Sequence, residues 1–240
     1  MATGMIKYHI LTLLRDPGNM FFAFGLPFLY LFLFSGNLDG DNLQFFLDRA
    51  LPMFITIAAM MLCFTCAGLS HAYSRQIKFL RRLRMTPVKP ATYIFTGIIS
   101  RIGVLFIFSV AFIAVTSLGF DLNMRGRNWP AFIGVLVLAF AMFYLMAMFA
   151  ANVLRNSKTS QGVLYVVFFG LLLFGDVFFP INAMPDIIQP VVQNMPTIHA
   201  RNVLQAAWLD TDLLYGHSLI TIIGLIVVFG LLSIICFRYE

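Results

Sequence analysis

The sequence predicts an all-α integral membrane protein with six transmembrane helices, and three observations carry that prediction. Its 240 residues are 60% hydrophobic and only 11% charged, with a mean hydropathy of +0.89, far from the composition of a soluble domain. Six segments approach the roughly 20 apolar residues that a spanning helix needs. Basic residues gather at the ends of those segments and in alternate loops, the bias that fixes helix orientation during insertion.

Residues 1–17 form an amphipathic lead-in. On a helical wheel Ile6, Ile10, Leu13 and Leu14 share one stripe, with Lys7, Tyr8, Thr12 and Arg15 opposite, which predicts a helix lying in the plane of the inner interface. Asp16-Pro17-Gly18-Asn19 break it, and the first span follows from about Met20 to Phe34. That span is short and contains Pro27, which removes a backbone hydrogen bond, so it either begins earlier or kinks. It lacks a small-residue cleavage site, and no signal peptide is expected. The remaining spans run roughly Ala50–Ser70, Tyr93–Leu118, Trp129–Leu154, Gln161–Phe179 and Leu213–Phe237. The whole of 1–240 reads as a single transmembrane domain. No internal repeat emerges, and the polar connections, about twenty residues at the longest, are too short for a catalytic domain.

Loop charges give the sidedness. With the N-terminus inside, the inner segments hold Lys7, Arg15, Arg75, Lys78, Arg81, Arg82, Arg84, Lys89, Arg155, Lys158 and Arg238 against Asp16 and Glu240. The outer segments hold only Arg49, Arg125, Arg127 and Arg201 against eight aspartates. Both termini are therefore expected in the cytoplasm of a multi-pass protein of the cell membrane. The net charge of +6 is accounted for by inner loops that face anionic lipid, so nucleic acid is not an expected partner.

Two segments stand out. The first is the cytoplasmic loop 74–90. Written as a helix, residues 75–84 place Ile77, Leu80, Leu83 and Arg84 along one side and Arg75, Lys78, Arg81 and Arg82 along another, before Thr86-Pro87 ends the turn. Such an element either takes force from a cytoplasmic partner or rests on anionic lipid. The second is 175–212, which Pro180, Pro185, Pro190 and Pro196 cut into pieces too short to span. One or two shallow helices at the outer surface are expected, either as a lid over an exit pathway or as a plain surface loop. Ala200, Val203, Leu204, Ala207 and Trp208 fall at helical spacing with Arg201, Asn202 and Gln205 facing elsewhere, and Trp208 suits an interfacial anchor.

Together these segments resemble the membrane subunit of type-2 ATP-binding-cassette (ABC) exporters. In that family the first cytoplasmic loop reads close to R-E-x-G-x-L-K-R-L-R-x-T-P with a second proline beyond, and here Arg75, Leu80, Arg81, Arg82, Leu83, Arg84, Thr86, Pro87 and Pro90 match. The last outer segment of the family reads like G-x-F-F-P-x-x-x-M-P and then a proline before a short helix, matched by Gly175, Phe178, Phe179, Pro180, Met184, Pro185 and Pro196. Gln76 stands where the family usually has Glu, and Lys78 where it usually has Gly. The resemblance implies that the loop is a coupling helix seated in a nucleotide-binding subunit, with Arg75, Lys78, Arg81, Arg82, Arg84, Thr86 and Pro87 as coupling residues. It makes 1–17 the connecting helix and 175–212 a re-entrant outer cap, with Gly175, Asp176, Phe178, Phe179, Pro180, Met184, Pro185 and Pro196 at its gate. It further implies two ATPase partner chains that carry ATP and Mg, no cofactor on this chain, and a second copy or related permease beside it. The cargo classes implied are an amphipathic drug or antibiotic, an antimicrobial peptide, a lipid or a glycan precursor.

Other residues carry weaker signals. Arg101 is a charge inside a predicted span, placed by the length of that span near the inner interface, where it can snorkel. Asp176, at the outer end of the fifth span, either lines the exit path or marks an ordinary helix boundary. The 27 phenylalanines, among them Phe21, Phe22, Phe178 and Phe179, are expected chiefly against lipid and neighbouring helices, the alternative being an aromatic wall for an amphipathic substrate. Cys63-Phe-Thr-Cys66 reads as small packing residues within a helix. His9, His71, His199 and His217 are scattered with no carboxylate or cysteine at ligand spacing, so no metal is expected. The chain has no G-x-x-x-x-G-K-[ST] phosphate loop and no G-x-S-x-G or H-E-x-x-H signature, which argues against an ATPase or an intramembrane hydrolase. The rival expectation, an ion- or proton-driven multidrug transporter, normally requires midplane carboxylates, and the predicted spans have none.

Overall fold

Asp16 shows how directly the sequence sets the first helix boundary. In the computed structural model its carboxylate accepts from the backbone N–H of Asn19 at 3.3 Å and from Asn19 Nδ2 at 2.7 Å, while Pro17 takes the first helical position, where no N–H is needed. The structure describes residues 2–35, 40–85, 90–120, 127–153, 156–175, 181, 184–211 and 215–237. Among these all regular structure is helical, and no strand occurs.

The helices are α1 (Ala2–Leu14), α2 (Pro17–Ser35), α3 (Gly40–Met61), a π-helical stretch (Leu62–Gly68), α4 (Leu69–Gln76), α5 (Phe79–Arg84) and α6 (Pro90–Phe120). They continue with α7 (Trp129–Val153), α8 (Ser157–Leu173), α9 (Gln189–Gln193), α10 (Pro196–Leu209) and α11 (Tyr215–Ile235). Four runs are long and apolar enough to cross a membrane: Asn42–Gln76, Pro90–Phe120, Trp129–Val153 and His217–Ile235. Pro17–Leu33 and Lys158–Leu173 are apolar but shorter. Pro27 sits within α2 without ending it, and α2 begins ahead of the predicted Met20.

The continuous rod α3–π–α4 is the centre of the fold. Its most apolar window is 94% buried, against 17% for that of α11, so protein surrounds the former while the latter lies at the periphery. Helix α7 packs along α11 and the π-helical stretch, α2 lies on α3, α8 on α4 and α7, and α10 bridges α3, α7 and α11. At Gly68 the approach of α8 is so close that a Cβ would come within 2.8 Å of Leu164.

Three expectations are corrected. The stripe of α1 that packs on α6 is Met5, His9 and Leu13, at i, i+4 and i+8, whereas Ile10 and Leu14 are exposed; the wheel was out of phase because a polar residue, His9, belongs to the buried face. The loop helix 75–84 is two helices, divided where Lys78 adopts φ 59°, ψ 22°. Trp208 is no interfacial anchor: it is fully buried and donates from Nε1 to Asp48 Oδ1 at 3.2 Å.

Candidate functional site

Helix α5 is a six-residue basic element built to show its charges. Leu80 and Leu83 are buried beneath it while Arg81 and Arg82 are exposed. Its angle to α4 comes from Lys78, whose left-handed backbone lets the chain turn in one residue. That conformation suits glycine best, which gives a physical reason for a glycine at this point in similar loops. Lys78 is itself exposed. Arg75 is not: it is 3% exposed, and its Nη1 donates to the carbonyl of Ala151 at 2.7 Å, capping the C-terminal end of α7 with a positive charge. The side chain of Arg84 and the residues Thr86 and Pro87 lie outside the described residues.

Behind α5 lies a buried polar and aromatic hub that joins five helices. Phe79 stacks on Tyr8 of α1 with ring centroids 4.6 Å apart, and the Tyr8 hydroxyl is 2.7 Å from Ser74 Oγ of α4. His71 of α4 reaches both α6 and α7. Asn152 Nδ2 donates to the Met148 carbonyl, which turns Oδ1 toward His71 Nε2 at 3.0 Å; that nitrogen must then carry the proton. Neutral His71 is left with Nδ1 as acceptor for the Tyr93 hydroxyl at 3.3 Å. His9 stands edge-on to Tyr93 with centroids 4.9 Å apart, and its Nδ1 lies 3.2 Å from Arg101 Nη1. Burial, helped by the Arg101 guanidinium, pushes the His9 pKa down to about 3. Arg101 does not snorkel: it is 2% exposed and enclosed by α1 and α7.

A groove opens between α2, α8 and the central rod. Its apolar compartment, about 400 Å³, is lined by Phe22, Pro27, Tyr30, Phe54, Phe168 and Phe169 among others. A more polar compartment of about 470 Å³ is lined by Tyr8, Arg15, Asp16, Ser70, Tyr73, Ser74 and Gln161. Tyr165 lines both, and the π-helical stretch stands at their junction, with Thr65 facing the first and Cys66 the second. Some of the phenylalanines thus make an aromatic wall, while Phe21 is exposed.

Among the described residues of the segment 175–212, α9 and α10 are short helices. The predicted face of α10 is the one buried: Ala200, Val203, Leu204, Ala207 and Trp208 all pack inside, while Arg201, Asn202 and Gln205 are half-buried. Arg127 holds this helix to the core. Its guanidinium pairs with Asp48, donates to the Trp208 carbonyl at 3.1 Å and covers the indole ring at 4.6 Å. Gly175 is buried where a Cβ would come within 2.6 Å of the Leu171 carbonyl and 2.9 Å of Thr197, so only glycine fits. Pro196 is at the start of α10, Met184 is half-buried and Pro185 exposed. Asp176, Phe178, Phe179 and Pro180 lie outside the described residues.

Sequence reasoning found α5 and α10 but missed the hub and the groove. His71 and Asn152 are 81 residues apart and His9 and Arg101 are 92 apart, and no local spacing links them. The one available signal was the presence of polar side chains on otherwise apolar helices.

No curated protein sequence matches the chain significantly. A family comparison does match: the sequence model of the ABC-2 type transporter covers residues 3–209, which takes in α1, the basic loop, every long apolar helix but α11, and α10. By this match over most of its length, and by helices long and apolar enough to cross a bilayer, the chain belongs to the ABC-2 type transporter family, the permease component of ABC transporters.

Proposed function

We propose that this permease is the membrane half of an ATP-driven exporter. In this reading α2, α3–π–α4, α6, α7, α8 and α11 are the six spans, with both termini in the cytoplasm as the loop charges require. A second copy, or a close relative, completes the pathway along the open groove between α2 and α8. Two separate ATPase subunits, carrying ATP and Mg, grip α5 from below.

The observation that carries the proposal is the construction of α5. Arg81 and Arg82 are presented outward on a short helix whose underside is anchored by Leu80 and Leu83 and, through Phe79 and Tyr8, by the hub. Closure of the ATPase subunits pushes α5, and the hub passes that displacement to α1, α6 and α7 as one packed body. The groove supports an amphipathic cargo: a drug or antibiotic, antimicrobial peptide, lipid or glycan precursor places its apolar part against Phe22, Phe54 and Phe168 and its polar part beside Arg15 and Asp16. The segment 175–212 is the outer cap, with Gly175, Met184, Pro185 and Pro196 among its gate residues.

The test reverses the charge of the handle. Arg81→Glu together with Arg82→Glu is expected to abolish co-purification of the ATPase subunit, or to leave ATP hydrolysis uncoupled from export in vesicles. Intact co-purification with undiminished ATP-dependent export would refute the coupling role. Export that stops on collapse of the ion gradient at constant ATP would refute the ATP-driven reading itself.

A further inference from the structure

The polar compartment of the groove, about 470 Å³ in volume, is lined by one cation and one anion, Arg15 and Asp16, and only the cation is free. Both carboxylate oxygens of Asp16 are engaged at the start of α2: Oδ1 accepts the backbone N–H of Asn19 at 3.3 Å and Oδ2 accepts from Asn19 Nδ2 at 2.7 Å. Arg15 makes no ion pair with that carboxylate, although the two are chain neighbours. Among the described residues its guanidinium has no acceptor at all.

The neutral groups divide in the same way. Ser74 donates its hydroxyl proton to the Ser70 carbonyl at 2.8 Å, so in the 2.7 Å contact between Ser74 and Tyr8 the tyrosine is the donor. Thr12 donates to the Tyr8 carbonyl at 2.7 Å. These three protons are committed within the protein. The hydroxyls of Ser70, Tyr73 and Tyr165 and the amide of Gln161, residues that line the same space, have no partner among the described residues. Such groups can donate or accept as a ligand requires. A guanidinium cannot: it presents five N–H donors and no acceptor. Arg15 is therefore the group that dictates the sign of what completes this compartment, and it calls for negative oxygen.

We propose, on the reading of the groove as the cargo path, that it selects an anionic amphiphile, with a phosphate or carboxylate head held by Arg15 and an apolar body lying past Tyr165 among Phe22, Phe54 and Phe168. A guanidinium meets either oxyanion with two parallel N–H donors, and Ser70, Tyr73 and Gln161 supply neutral hydrogen bonds around it. An ammonium head in the same place faces Arg15 with no free carboxylate to offset the repulsion, so cationic amphiphiles are disfavoured. Tyr8, Ser74 and Ile77 line the polar compartment too. The head thus lies against the contact that joins α4 to α1, one residue short of the bend into α5.

Cys66 lines the polar compartment and reports its occupancy, while Cys236 lies away from it and serves as the control. The full chain in phosphatidylcholine vesicles at pH 8.5 is alkylated with N-ethylmaleimide, and the rate at each cysteine is read by mass spectrometry. Dodecyl phosphate, dodecanoate or dodecyltrimethylammonium is added at equal membrane mole fraction. Each anion is expected to slow alkylation of Cys66 at about one-tenth of the mole fraction that the cation requires, the effect of a single charge-assisted hydrogen bond, without slowing Cys236. Arg15→Gln should remove the tenfold preference and Arg15→Glu should reverse it; the Arg15 side chain holds no described residue in place, so both variants should fold. Equal protection by anions and cation, or a preference that survives Arg15→Gln, would overturn the proposal. So would protection by inorganic phosphate as strong as that by dodecyl phosphate, which would mark a site for free anions. Protection by phosphatidic acid built into the vesicle, with none by the dodecyl anions, would also overturn it and make the groove the seat of a resident lipid. No ATPase subunit is present in this measurement, so its failure leaves ATP-driven export standing, and failure of the Arg81 and Arg82 test leaves the preference for anions untouched.

Discussion

Gly97→Ala is the sharpest perturbation the hub offers. The new methyl group would overlap the Tyr144 hydroxyl and come within 2.9 Å of Tyr144 Cζ, about 0.5 Å inside the 3.4 Å at which ordinary contact begins. Tyr144 is fully buried between α6 and α7, so its ring cannot swing into open space. Overpacking at such a site costs about 1 to 3 kcal/mol, and the overlap with an inflexible ring places this case near the upper end. At roughly 2–4 °C per kcal/mol for a chain of this size, the unfolding midpoint should fall by about 6 to 12 °C. Thermal unfolding of the variant in neutral lipid measures it. Tyr144→Phe in the same background removes the overlapping oxygen and leaves only the milder 2.9 Å Cζ contact, so it should restore about half of the loss. The reasoning fails if Gly97→Ala unfolds with the wild type, or if Tyr144→Phe gives no recovery.

Lys78→Gly should stabilise the α4–α5 bend by about 0.5–1 kcal/mol, the left-handed strain it relieves less the added freedom of the unfolded chain, while the β-branched Lys78→Val should destabilise it by more; hydrogen exchange of the α5 amides reads both. Asp48→Ala leaves the Arg127 guanidinium and the Trp208 indole N–H without this carboxylate, and should lower stability by about 2–3 kcal/mol and speed proteolysis at α10. His9 binds its proton less readily folded than unfolded, so its contribution to stability is complete above its ordinary pKa of 6.5 and is lost as the pH falls toward about 3. Acidification through that window should loosen α1 in the wild type, measured by N-terminal proteolysis, and His9→Gln should flatten the dependence.

What the sequence disclosed follows the reach of each physical rule. Long apolar runs and the clustering of basic residues are local properties, and they located the long helices and α5. The buried face of α10 was legible because all its inward residues are apolar or aromatic at helical spacing. The α1 stripe was not, since hydrophobic periodicity assigns His9 to water and only the distant Tyr93 and Arg101 account for its burial. Arg75 was read as one more surface charge because its partner, the Ala151 carbonyl, is backbone and lies 76 residues away. The bend at Lys78 escaped because its only local trace was a lysine where related loops carry glycine.

The π-helical stretch Leu62–Gly68 interrupts the central rod between α3 and α4, the end that leads into α5. Winding at i→i+5 instead of i→i+4 absorbs an extra residue, and one residue corresponds to about 100° of azimuth around the axis. The rod is therefore a crank. Were those seven residues to rewind as ordinary α-helix, α4 would swivel relative to α3, carrying Ser74 off Tyr8 and Arg75 off the end of α7 together. Torsion in the middle of the rod and the seating of its α4 end are thus one coordinate, so that a twist applied at α4 would emerge at Thr65 and Cys66, where the two compartments of the groove adjoin.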